Sequence, residues 1–141
     1  MTSNGETAGI HLIQALNDDI ARELSLARKY VALSLAEGHR STAFRRRCAA
    51  TAAEAMRHAT ALAAEVMHLG GVPSTGTQRR SVAHPAEPAP DSDRFAHYRQ
   101  RLRMANELGL LRLEEVLEEI LRDLRGSSQK CGLIFRPIWI T

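Results

Sequence analysis

Aromatic residues are scarce: Phe, Tyr and Trp together make up 4% of 141 residues. A β-sandwich or barrel draws on aromatic and β-branched side chains, so this poverty, beside an abundance of Ala, Leu, Arg and Glu, argues for helices. Only two cysteines are present, and no C-x-x-C pair, which excludes a disulfide scaffold. No apolar run reaches the ~18 residues that a membrane helix needs. Nor is there a basic start followed by an apolar stretch, the mark of a secretory leader. A cytoplasmic protein without a membrane partner is the expectation. Phosphate-loop, H-E-x-x-H and G-x-S-x-G motifs are missing too. The net charge of +3 is too mild to argue for nucleic-acid binding, so nucleic acid is not an expected partner.

What remains is helical periodicity. Residues 1–8 read as a loose polar tail. From Ile10 to Glu37, Leu16, Ile20, Leu24, Ala27, Val31 and Leu35 recur at spacings of three and four, which predicts an amphipathic helix ended by Gly38 and His39. A second helix is expected over Ser41–Leu69, stopped by Gly70-Gly71-Val72-Pro73. Residues 70–90, rich in Gly and Pro, read as an extended crossover. A third helix is expected from Asp91 to Leu108 and, after Gly109, a fourth from Leu110 to Arg125. Residues 126–141 read as an extended apolar C-terminal tail around Pro137. The tail is open to three readings: a cover for the bundle end, a subunit contact, or a displaced reading frame. Four helices, two tight turns and one long middle connection predict an all-α four-helix bundle of ferritin-like connectivity over 1–125. Basic helix three and acidic helix four (Glu114, Glu115, Glu118, Glu119) are expected to exchange surface salt bridges.

The informative residues are the polar ones on apolar stripes. On helix one the stripe reads Leu16, Ile20, Glu23, Ala27, Tyr30. A carboxylate at such a position must be protonated, paired or metal-bound, because an isolated buried charge costs several kcal/mol or more. Rotating the helix by one position would instead leave Glu23 at the edge, beside a basic neighbour. On helix two the stripe reads Phe44, Cys48, Thr51, Ala55, His58, Leu62, with Glu54 one turn before His58. An inward histidine is either a satisfied core residue or a ligand. Carboxylate plus imidazole is a common shell for iron or zinc. Cys48 reads as a small buried residue. A second stripe of Ala49, Ala52, Met56, Ala63 and Met67 suits either bundle packing or a subunit interface, and the interface is the favoured reading.

Three stretches carry a resemblance. Arg22-Glu23-Leu24 with Tyr30, Ala55-Met56-Arg57-His58-Ala59, and Leu69-Gly70-Gly71-Val72-Pro73 resemble the first half of bacterioferritins and related ferritin-like di-iron proteins. In that family each half supplies a Glu and a Glu-x-x-His to a two-iron ferroxidase centre. The second half echoes the pattern only faintly: Asp91 and Tyr98 are spaced like Glu23 and Tyr30. The resemblance puts carboxylates at 23, 55, 91 and 124 and imidazoles at 58 and 127. The chain offers Glu23, Ala55, Asp91, Leu124, His58 and Ser127. Asp91 follows Pro90 at a helix start, where it also suits an N-cap. The expectation is therefore an iron-binding protein of iron storage or homeostasis with a residual metal site at Glu23, Glu54, His58 and Asp91. Ferroxidase catalysis is expected to be weak or absent. The resemblance also gives Met56 the place of a haem-ligating methionine at a twofold interface. Methionine occurs there in haem-free relatives as well, so iron is the expected cofactor and haem b the less expected one. Self-association as a homodimer or larger shell through helix two is implied. The alternative is a metal-free helical interaction or accessory subunit.

Overall fold

A computed structural model of the chain describes residues 2–36, 38, 41–74 and 91–134. Among these there are four helices and no strand: α1 (Thr2–Leu35), α2 (Thr42–His68), α3 (Asp91–Glu107) and α4 (Leu111–Ile134). The chain divides into two compact units, 1–88 and 89–141. No described helix is long and apolar enough to cross a membrane. The expected crossover falls largely on residues 75–90, outside the described residues.

The first unit is an antiparallel hairpin of α1 and α2. Ser41 caps α2 through its side chain, which accepts from the Phe44 amide at 3.1 Å. The far end closes on a Schellman turn. Gly70 N–H donates to Met67 O at 3.0 Å and Gly71 N–H to Val66 O at 2.9 Å, with Gly70 at φ +85°, where a side chain would be strained. Gly71 is small for a second reason. A Cβ there would lie 2.8 Å from Ile13 Cγ2, so the end of α2 seats closely on α1. Asn17 fastens the chain beyond this turn. Its Nδ2 donates to Val72 O at 3.1 Å and its Oδ1 accepts from the Ser74 amide at 2.9 Å. Midway along the hairpin, Leu26, Ala27 and Ala55 form a buried cluster with Tyr30 packed on its side.

The second unit is a shorter antiparallel hairpin. Gly109, at φ +69°, takes the same role as Gly70: Gly109 N–H donates to Asn106 O at 3.1 Å and Leu110 N–H to Ala105 O at 2.9 Å. Asn106 Nδ2 donates to Glu114 Oε1 at 2.7 Å across the turn. At the open end the guanidinium groups of Arg99 and Arg125 lie over the Phe95 ring, 6.0 and 5.4 Å from its centre.

Two expected boundaries are corrected. Residues 2–8 are helical, not a loose tail, because Leu12 and Leu16 fix the helix and further turns then add hydrogen bonds without a new nucleus. The extended reading of 126–141 also fails over 126–134, since α4 continues to Ile134. A glycine inside a helix costs only about 1 kcal/mol relative to alanine, so Gly126 does not stop a helix already propagating from the buried Leu117–Leu124 segment. Residues 135–141, including Pro137, lie outside the described residues.

Candidate metal centre

The α1 face around Glu23 points inward: Leu16, Ile20 and Ala27 are buried, and Glu23 with them at 1% exposure, whereas Val31 and Leu35, which the periodicity also put on the apolar face, are exposed near the helix end. The edge position for Glu23 is thereby excluded. On α2 Phe44, Cys48, Ala55, His58 and Leu62 are buried, and Thr51 is half-buried. Cys48 is fully buried and belongs to no disulfide. Antiparallel pairing brings Glu23 level with His58, and His58 Nδ1 lies 3.1 Å from Glu23 Oε1. Both side chains are withdrawn from water, so their hydrogen bond forms in a low-dielectric setting where it is stronger than at a surface.

Glu54 approaches the opposite edge of the same ring. Its Oε1 lies 4.0 Å from His58 Nε2, the contact expected of residues one turn apart on one helix. Its side chain keeps 21% of its exposure, against 1% for Glu23. The imidazole therefore has one carboxylate at each nitrogen, a sealed one at Nδ1 and a more open one at Nε2. Carboxylate oxygen and imidazole nitrogen suit divalent iron or zinc, and Glu54 with His58 supplies such a pair of donors.

Two of the carboxylate positions that the resemblance implies are apolar here. Position 55 holds an alanine at 1% exposure, packed with Leu26 and Ala27, and position 124 a leucine at 6%. Neither has an atom that binds metal. α3 begins at Asp91, but the side chains of Asp91 and Ser127 lie outside the described residues. Tyr30 is half-buried on the Leu26 cluster. Tyr98 is buried in the second unit at 2% exposure. Met56 stands on the outer side of α2, 46% exposed, and Met67 on the same helix is 59% exposed. Of the second α2 stripe only Ala52 is buried.

Two buried carboxylates were missed. Asp19, at 2% exposure, accepts from Arg22 Nη1 at 2.9 Å, and Glu65 on α2 is 5% exposed. The signal was present: Asp19 precedes Glu23 by four residues, and Glu65 follows His58 by seven, so each continues a stripe already identified. The Asn17 fastening gave no such signal, because its partners are backbone groups far along the chain. Comparison with protein-family models, curated proteins and solved structures gives no match for this chain.

Proposed function

We propose that this chain is a ferritin-like, bacterioferritin-related iron-binding protein that holds one metal ion per chain at His58 and lacks a working two-iron centre. The observation that carries this reading is the buried Glu23–His58 contact at 3.1 Å, with Glu54 at the second ring nitrogen. A helical protein without a polar task has no need of an imidazole and two carboxylates on its inner stripes, since apolar side chains of similar volume are at least as stabilising there. Iron is the cargo, and the role is iron storage or homeostasis. Ala55 and Leu124 remove two of the carboxylates that a ferroxidase would use to hold and bridge a second ion. Electron transfer from a metal pair to oxygen is therefore not available.

The test is anaerobic loading with Fe(II) followed by mixing with oxygen. One ion binds per chain and no fast oxidation phase appears; His58→Ala abolishes the bound ion. Two ions per chain with a rapid phase would refute the reading.

A second reading has its own support. Met56 and Met67 are exposed on one helix, together with Ala49, Ala53 and Thr60. Methionine adapts to irregular partner surfaces, so an accessory or self-associating role through α2 follows if metal analysis finds nothing bound. Sedimentation of the unaltered chain and of Met56→Lys separates this role from iron binding.

A further inference from the structure

We propose that the ion is taken at Nε2 of His58 together with Glu54, while Glu23 accepts the Nδ1 proton and serves as a positioning residue. This deepens the reading above and rests on it. The resemblance implies the reverse assignment, with the carboxylate at position 23 as a ligand.

Three observations favour the Nε2 side. Glu23 Oε1 stands at 3.1 Å from Nδ1, an ordinary hydrogen-bond distance. A ring nitrogen that donates its proton has no lone pair left for a metal, so this contact commits Nδ1 and puts the ring's in-plane lone pair on Nε2. Glu23 and the His58 ring are also almost wholly enclosed, at 1% and 5% side-chain exposure. An ion entering between them would have to displace that hydrogen bond and shed its water in the same place. Lastly, Glu54 keeps 21% of its side-chain exposure and stands 4.0 Å from Nε2 on the same helix. That spacing leaves room for an ion between the two donors, each about 2.1 Å from it. Glu54 reaches solvent, so an ion can arrive hydrated and exchange water for ligands in steps. The result is a carboxylate–histidine–metal arrangement. The buried acid fixes the tautomer and ring orientation, and raises the basicity of the nitrogen that binds.

The arrangement also gives the two buried-stripe residues different jobs. His58 binds; Glu23 aims it. The metal equilibrium then involves one proton-accepting carboxylate that never touches the ion, and a second that does. Substitution of each therefore has a different size of effect.

Zinc(II), diamagnetic and redox-silent, is the probe, added to the full chain carrying 15N-labelled histidine. Long-range 1H–15N spectra identify the protonated and the metal-bound nitrogen of His58 directly. The expected result is metal on Nε2 and a proton on Nδ1. In competition titrations Glu54→Gln weakens zinc binding at least about hundredfold, the loss of a charged ligand. Glu23→Gln keeps an acceptor at the same place and weakens it by about tenfold, within the range for supporting carboxylates. Metal on Nδ1, or a larger loss from Glu23→Gln than from Glu54→Gln, overturns this assignment and leaves the function proposed above standing. Absence of zinc from His58 in the unaltered chain overturns both. Because Glu54 is partly exposed, its variant keeps the fold, and circular dichroism of both variants verifies that the comparison is between folded proteins.

Discussion

Removal of the His58 ring from metal-free protein is the sharpest probe of how the first hairpin is held. His58 and Glu23 share a hydrogen bond of 3.1 Å between side chains with 5% and 1% exposure. A charge-assisted hydrogen bond of this kind contributes about 1.5–3 kcal/mol. His58→Ala also leaves a void where the ring packed, worth roughly 1–2 kcal/mol more. The expected loss is therefore roughly 2.5–5 kcal/mol, a fall in midpoint of about 10–20 °C for a chain of this size. Glu23→Ala should cost a comparable amount. The double variant loses the shared contact only once, so the two single costs exceed the double cost by about 1.5–3 kcal/mol. Urea unfolding with chelator present measures all four corners of this cycle. A coupling below about 0.5 kcal/mol would mean that the two side chains do not depend on each other, and the reasoning about the centre would fall.

Further outcomes follow from the same geometry. Asn17→Ala removes two hydrogen bonds to the chain after α2 and should cost about 1–2 kcal/mol, with faster amide exchange at Ser74. Gly71→Ala drives a methyl against Ile13 and Val66 and should cost about 1–3 kcal/mol, read as a lower urea midpoint. Ala55→Glu restores a Glu-x-x-His sequence but buries a carboxylate among Leu26, Ala27 and Tyr30. Metal-free stability should drop by several kcal/mol, while iron binding should tighten in direct titration. Metal binding should weaken as pH falls, since protons compete with the ion for the imidazole and the carboxylates; zinc titrations at graded pH check the direction.

The helices and the inward stripes were legible in the sequence because both depend on local periodicity. Leu16, Ile20, Glu23 and Ala27 repeat at the spacing of one helix face, and that face is buried. The partnership of Glu23 with His58 followed from one further step, a tight turn that forces antiparallel neighbours. Boundaries were less legible. Gly5 and Gly126 look like breaks, yet each lies inside a helix whose anchoring apolar residues are elsewhere. The position of Glu54 was half legible: spacing put it on the His58 side of α2, but only coordinates show it at the other ring nitrogen from Glu23. Asn17 was invisible, because a side chain that binds two backbone groups some 55 residues away leaves no local pattern.

X-ray absorption of the chain loaded anaerobically with one equivalent of Fe(II) addresses the iron reading most directly. The account predicts a shell of oxygen and nitrogen donors with one imidazole, which disappears in His58→Ala, and no iron–iron distance. An iron–iron vector of about 3.5–4 Å, or an unchanged spectrum without His58, would contradict it.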